Sequence, residues 1–340
     1  MDYEVTIGIP VYNIEKYVRL AMDSALAQTF ESIEFLVLDD CGTDDSMNIV
    51  RQYQQTHPRG QHIRIVRQPQ NGGLGQARNR IMDEARGRYL YHLDGDDAIA
   101  PNTIELLYEQ AVAHDADIVY GSYQCVFTEN DKVERTEQHV YPKVVFTEPD
   151  EYACFAYDGG VQTTTWNFLV KIDILRGNGL RVAPVGFGED FTFTVDLPTY
   201  ITRAVLIPDV TYSYFIRDVN TKRWDRNVNR QTMDNYVKTI DEKKRRTELK
   251  EKPYYAKRCE MLLMYDLSFV GQILQRRDKI TPHYMDREIR DVMWNPMTCS
   301  EIVKQPYKRL KLLSAKLISL LPPGLAVFLL RIKTRTGVKD

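Results

Sequence analysis

HLDGDDAI, residues 92–99, decides how this chain is read. It follows Arg88-Tyr89-Leu90-Tyr91, a run of strand character, so Asp94, Asp96 and Asp97 crowd into four positions where that strand ends. In an open α/β sheet, ligands collect outside the carboxyl ends of the strands. Three carboxylates this close repel one another unless a cation is bound. A hard divalent ion with oxygen ligands, Mg²⁺ or Mn²⁺, relieves the repulsion and usually brings a substrate phosphate with it. Taken alone, D-x-D is equally a plain turn, because Asp and Gly are ordinary turn residues. A calcium loop beginning at Asp94 has Glu105 at its twelfth position but Ile99 where Gly is required, which excludes it.

A second acidic cluster falls in a matching place. The apolar run Ile33–Leu38 is followed at once by Asp39-Asp40-Cys41-Gly42-Thr43-Asp44-Asp45-Ser46, and the strand-like Val5–Ile9 ends in Pro10-Val11-Tyr12-Asn13. Between them, Ile14, Tyr17, Val18, Ala21, Met22 and Ala25 recur at helical spacing. The pattern continues as helix 45–56, strand 62–66, helix 74–86, strand 88–93, helix 101–114 and strand 117–121. This alternation predicts an α/β fold with a mostly parallel sheet and right-handed crossovers. Both acidic clusters and the PVYN turn then lie on one rim of the sheet.

These residues carry a resemblance to the family 2 glycosyltransferases, which have the GT-A fold. The matching segments are IPVYN (9–13), LDDCGTDDS (38–46), NGGLGQARN (71–79), LDGDD (93–97) and GFGED (186–190), in the family's order and spacing. The resemblance spans residues 3 to about 217 and is strongest before residue 122. It implies a metal-dependent inverting transferase that uses a nucleoside diphosphate sugar, of UDP type, and a hydroxyl acceptor. The chain order is similar to that of teichoic-acid and polysaccharide members with C-terminal additions.

The resemblance also implies roles. Pro10 and Tyr12 form a flat slot for the base, Asp40 accepts a hydrogen bond from it, and Asn71 is a further nucleotide contact. Glycines in the 71–79 segment permit close backbone approach to a ligand, and Arg78 offers a forked cation to the diphosphate. A simple turn before a helix reads Gly72, Gly73 and Gly75 equally well. A dinucleotide fingerprint would need Gly at 78, where Arg stands. Asp94 then touches ribose or the metal, Asp96 is the direct metal ligand, and Asp97 sits behind it or against the sugar.

Transfer also needs a carboxylate to take the acceptor proton. By resemblance Asp190 is that base and Glu189 orients it or the acceptor. The same pair suits a helix start with acids in its first turn, and both descriptions can hold together. Related enzymes often carry a His beyond the aromatic strand near residue 212. This chain has Tyr212-Ser213-Tyr214-Phe215-Ile216-Arg217-Asp218-Val219-Asn220 instead, which offers Arg217 to the diphosphate and Asn220 as a weak metal ligand. No two of the six His have ligand spacing, so a zinc site is not expected. His92 and Trp166 read as buried structural residues.

The length of 340 residues suits a catalytic domain with an addition. The expected organisation is 1–220 for the transferase domain (1–122 for the nucleotide sugar, 123–220 for acceptor and base), 221–305 for a helical extension, and 306–340 for a tail. An odd count of five Cys and no leader before the first strand suit a cytosolic compartment. No apolar run is long enough to span a bilayer. The chain is nearly neutral, at −2, yet nine Lys or Arg and no acid lie between Glu301 and Asp340. In the tail Leu310, Leu313, Leu317, Leu320 and Leu321 share one helical face, with Lys308, Arg309, Lys311 and Lys316 opposite and Leu312 as the exception. A basic amphipathic helix of this kind suits an anionic bilayer, here through residues 306–335 at the inner face of the cytoplasmic membrane. The alternative is that the leucines dock on the protein itself. Nucleic acid is not an expected partner. The functional expectation is transfer to a growing surface glycan or lipid-linked oligosaccharide; the alternative is a silent GT-A-fold scaffold, against which the set Asp40, Asp94, Asp96 and Asp190 argues.

Overall fold

The computed structural model describes residues 3–130, 132–186, 188–217 and 229–337, with the side chains of 335–337 not described. Asn220 lies outside the described residues. The chain divides into two compact units: Met1–Tyr152 with Thr163–Trp224, and Ala153–Gln162 with Asp225–Asp340.

The first unit opens with β1 (Tyr3–Val11), α1 (Val18–Leu26), β2 (Ile33–Asp39), α2 (Ser46–Thr56), β3 (Ile63–Arg67), α3 (Gly73–Glu84) and β4 (Gly87–His92). Strand β2 is buried along its whole length, and its continuous apolar run is what a strand covered on both faces requires. Helix α1 buries Val18, Ala21, Met22 and Ala25, the stripe that its periodicity marked out. The four strands pair in parallel in the order β3-β2-β1-β4.

Beyond β4 the sheet is mixed, which corrects the expectation of a mostly parallel sheet. The later elements are β5 (Ala98–Ile99), α4 (Thr103–Ala113), β6 (Ile118–Glu129), β7 (Lys132–His139) and β8 (Val144–Phe146). After them come α5 (Glu151–Phe155), β9 (Phe168–Lys171), α6 (Ile172–Gly177), α7 (Glu189–Thr194) and β10 (Ala204–Arg217). Strand β9 runs antiparallel between β4 and β6, β6 and β10 are parallel, and β5 is antiparallel to β10. The order is therefore β3-β2-β1-β4-β9-β6-β10-β5, with β7 paired to β6 and β8 to β10. The two-residue β5 was not foreseen, because two residues show no alternation. It matters for the site, since it ties the chain just after Asp97 to Tyr212 and Ser213 of β10.

The second unit is helical: α8 (Arg230–Lys244), α9 (Tyr255–Arg276), α10 (Asp286–Val292), α11 (Cys299–Lys304), α12 (Arg309–Leu320) and α13 (Pro323–Gly337). Within 306–340, the described residues form α12 and α13, which bury side chains in this unit. Leu312, Ala315, Ile318, Ala326, Val327 and Leu330 are buried in this unit. Leu312, the exception on the helical wheel, is the residue that anchors α12. The leucine face instead stays outward, with Leu310 78%, Leu317 51% and Leu320 65% exposed. Lys311 pairs with Glu260, Lys308 lies 3.6 Å from the same carboxylate, and Lys316 donates to the Asn295 carbonyl at 2.8 Å. Residues Ala153–Gln162, assigned from sequence to the first domain, belong here: Asp158 accepts from Lys257 at 3.2 Å and from the Tyr307 hydroxyl. Within the charged run 241–252, Lys244 is buried and pairs with buried Asp266 at 2.9 Å. Among the described residues no helix is long and apolar enough to cross a membrane.

Candidate functional site

The carboxyl ends of β2, β1 and β4 lie side by side, and the segments leaving them form one rim. Asp40 N–H donates to the Val11 carbonyl and Leu93 N–H to the Gly8 carbonyl, each at 3.0 Å, so both acidic segments start level with the end of β1. Gly95 allows the closest approach. A Cβ there would stand 2.8 Å from the Pro10 carbonyl oxygen and 2.5 Å from Ile14 Cδ1, so only glycine fits without a shift.

Tyr12 is 47% exposed at this rim, and Pro10 beside it is buried, consistent in placement with an aromatic wall. Asn71 is exposed at the head of its loop. Asp40, which the resemblance assigns to the base, is engaged by the glycine loop. It is buried, and its two oxygens accept the Gly72 and Gly73 amides at 2.8 and 3.0 Å. Burial raises its pKa from the ordinary value, and these two amides hold it back. Asp40 therefore shapes the glycine loop, where Gly73 takes φ +78°. Asp44 has a similar local duty, since its carboxylate accepts from the Ser46 amide and hydroxyl and from the Glu15 amide.

Arg78 is the largest departure from the sequence reading. Its side chain is 1% exposed, and its guanidinium pairs with Asp190 through Nη1 and with Asp94 through Nη2 at 2.8 Å. Burial lowers its pKa, yet Asp190, Asp94 and Glu189 outweigh this and the net shift is upward, so it stays charged. Matched by two carboxylates, the guanidinium is a bridge within the protein. Its neighbour Asn79 fixes the same junction, giving its amide to the Val182 carbonyl at 2.8 Å and accepting the Val182 N–H at 2.9 Å. The 71–79 segment thus brackets the approach to GFGED.

In that segment Gly186 and Gly188 adopt φ +80° and +60°, a left-handed path that favours glycine and turns the chain into α7. Glu189 accepts the Gly186 N–H at 3.2 Å, which closes its own turn. Asp190 receives, besides Arg78, the hydroxyl of buried Thr165 at 2.9 Å. Thr165 was missed from sequence: it is one of three consecutive threonines, and no spacing singles it out. Trp166 beside it is buried, stacked on Tyr212 and Tyr214 with ring centroids 4.5 and 5.3 Å away.

The LDGDD turn is held from β10, which sequence spacing also missed. Asp97 is buried and accepts the Tyr212 hydroxyl and the Phe215 N–H, both at 2.8 Å. It is a strut and not a sugar contact. Burial, then Asp96 and Asp94, push its pKa well above the ordinary carboxylate range. Asp96 Oδ2 lies 3.3 Å from Arg217 Nη1, and Arg217 Nη2 donates to the Asp96 carbonyl. Arg217 is thus set against Asp96. Among the described residues no group of three His, Cys, Asp or Glu is arranged to hold a metal. Asp94 and Asp96 offer oxygen donors only, which suits an ion of the Mg²⁺ type that is held by one or two carboxylates and completed by substrate phosphate and water.

His92, at the end of β4, is buried, and its Nδ1 has no hydrogen-bond partner. Burial, then the Arg78 charge, lower its pKa to about 3. The unfolded chain takes up the proton near pH 6.5 while the folded chain refuses it down to about 3. Its neutrality therefore stabilises the fold fully above pH 6.5 and progressively less as pH falls through that window. His92→Leu should flatten the acid-side loss between pH 6.5 and 4.5 by about 1.4 kcal/mol per pH unit, read from denaturant midpoints. Parallel pH profiles for the two proteins would refute this.

Comparison with known proteins agrees with this architecture. Residues 6–172 match Glycosyl transferase family 2. The chain is 36% identical to the glycosyltransferase GlyA of Streptococcus pneumoniae over 123 residues, 36% of this chain and 17% of that protein. It is 30% identical to the uncharacterized glycosyltransferase EpsJ of Bacillus subtilis over 217 residues, 62% of this chain and 60% of that one. The chain thus spans less than two thirds of the length of either relative. In structure it is similar to S. aureus TarS 1–349 in complex with UDP-GlcNAc, with TM-score 0.69, 17% identity, and coverage of 98% of this chain and 90% of that one. It is also similar to the Pyrobaculum calidifontis mannosyltransferase PcManGT in complex with GDP-Man and Mn²⁺, with TM-score 0.55, 14% identity, and coverage of 98% and 88%.

Proposed function

Because residues 6–172 belong to glycosyl transferase family 2, we propose that this chain moves one sugar from a UDP-type nucleoside diphosphate sugar to a hydroxyl of a cell-surface glycan or lipid-linked oligosaccharide, with inversion. The observation that carries the reading is the Arg78 bridge. One buried guanidinium holds Asp190 within its own span of Asp94, on the loop that leaves the strand ends. A base for the acceptor is thereby fixed beside the part of the rim that faces the donor.

In the step itself, the acceptor oxygen bonds to the anomeric carbon as the bond from that carbon to the diphosphate oxygen breaks. The acceptor proton passes to Asp190, whose Oδ1 is steadied by Arg78 and Thr165. Tyr12 supplies a wall for the base, and the glycine loop held by Asp40 lies alongside, with Asn71 at its head. Asp96, with Asp94, would hold Mg²⁺ or Mn²⁺, which when bound offsets charge on the departing diphosphate. Supporting this are the oxygen-only donor set and the Mn²⁺ in the similar mannosyltransferase. Incubating the purified chain with a panel of UDP-sugars and Mn²⁺ should release UDP slowly without acceptor and stop on adding chelator. If no UDP-sugar is turned over with or without glycan acceptors, the transferase reading fails; turnover that survives chelator removes the metal.

The outward face of the second unit supports attachment to an anionic bilayer as a peripheral protein at the inner surface of the cytoplasmic membrane. Leu310, Leu317 and Leu320 on α12 and Leu325, Phe328 and Ile332 on α13 are exposed, with Arg309 and Arg331 beside them in the chain. Apolar side chains and cations in one short segment match an anionic headgroup layer, where each cation contributes about 1 kcal/mol. Since these helices also bury core residues, truncation is the wrong test. Leu310→Gln combined with Leu317→Gln and Leu320→Gln should abolish flotation with anionic vesicles while leaving the melting temperature in place. Undiminished flotation of the triple variant would exclude this face.

A further inference from the structure

Arg217 closes β10 with its side chain 8% exposed, packed where few cations are placed without reason. Its guanidinium lies over the Tyr17 ring at 4.0 Å and over the Phe215 ring at 5.0 Å. Nη1 reaches Asp96 Oδ2 at 3.3 Å and the Phe215 carbonyl at 3.4 Å, and Nη2 donates to the Asp96 carbonyl. These contacts fix a permanent positive charge on the most exposed carboxylate of the LDGDD turn, whose side chain is 32% exposed. No change of pH within the working range removes that charge.

We infer that Arg217 is a resident counter-cation of Asp96, which a divalent ion displaces in order to bind. The inference rests on the proposal that Asp96 is the carboxylate an ion uses. Two cations cannot share one carboxylate at these distances without repulsion, so the guanidinium weakens metal binding to the nucleotide-free protein. A nucleoside diphosphate changes the balance twice. It brings phosphate oxygens that complete the ion's shell, and it offers the forked guanidinium a second anion to move to. Arg217 thereby couples metal binding to nucleotide binding, and Asp96 is unmasked when the donor arrives.

The test is Mn²⁺ binding to the full chain, followed by the loss of the free-ion electron paramagnetic resonance signal, with and without UDP. Wild type should bind Mn²⁺ weakly alone and more tightly with UDP. Arg217→Gln should tighten nucleotide-free binding on the order of tenfold, since a nearby like charge has gone. Arg217→Lys keeps the charge but loses the fork that reaches both the carboxylate and the backbone carbonyl of Asp96, and should fall between the two. Nucleotide-free affinity in Arg217→Gln equal to or weaker than wild type, with UDP still recruiting Mn²⁺, overturns the role of Arg217 and leaves the metal proposal standing. If no variant binds Mn²⁺ even with UDP, the metal proposal fails and this inference with it. Should the Gln variant not fold by circular dichroism, the Lys variant decides, and affinity no tighter than wild type overturns the inference.

Discussion

Replacing Asp190 by Asn is expected to cut sugar transfer by about 10²- to 10⁴-fold, the usual effect of losing a general base. The amide keeps the shape of the carboxylate and can still accept from Arg78 and from the Thr165 hydroxyl, which is 2.9 Å from Oδ1. It cannot take the acceptor proton. UDP-sugar affinity, measured calorimetrically without acceptor, should therefore survive while turnover collapses. The opposite split, with donor affinity lost and turnover kept, would make Asp190 a binding group and move the base elsewhere.

Arg78→Met should have an effect of similar size but of another kind. The guanidinium is buried, and its removal leaves Asp94 and Asp190 facing one another with their counter-charge gone. Breaking a buried pair by deleting one partner typically costs about 3–5 kcal/mol, so the melting temperature should fall by several degrees and transfer should be lost. A second readout separates the electrostatic account from simple cavity formation. Arg78 is one of the two causes that hold His92 near 3, so His92 should titrate higher in the variant by NMR. A destabilised protein in which His92 does not move would show that Arg78 acts through packing alone.

The fold was legible where one physical cause dominates. Continuous apolar runs such as Ile33–Leu38 and the stripe of α1 each have a single explanation, and both formed as read. The family and its rim of motifs were legible for the same reason, because the segments follow strand ends in order. Partnership was not legible. The sequence shows that Arg78 is a cation near acids, but whether it meets a ligand or Asp190, 112 positions away, depends on how the chain returns. Thr165, Tyr212 and Phe215 reach the site by that same return, and none carries a local signature. The packing of the tail was not legible for a related reason. The leucine face stays outward, and the contacts that hold α12 in its unit go instead to Leu312, Ala315 and Ile318. A helical wheel ranks faces by hydrophobicity, but which face docks also depends on how well its side chains interlock with those of the neighbouring helices.

The bracket between α3 and the GFGED segment also limits how this protein can be rearranged. The family match ends at residue 172, while Arg78 and Asn79 are completed by Asp190 and Val182. A chimaera cut at the end of the match would separate a buried guanidinium from one of its two counter-ions and the Asn79 amide from the Val182 carbonyl. Exchanging donor modules between relatives should therefore succeed only when Thr165 and residues 182–190 travel with the segment 71–97. On the roles proposed for them, donor choice and acceptor activation are inherited as one block, although the segments 71–97 and 182–190 lie more than 80 residues apart in the chain.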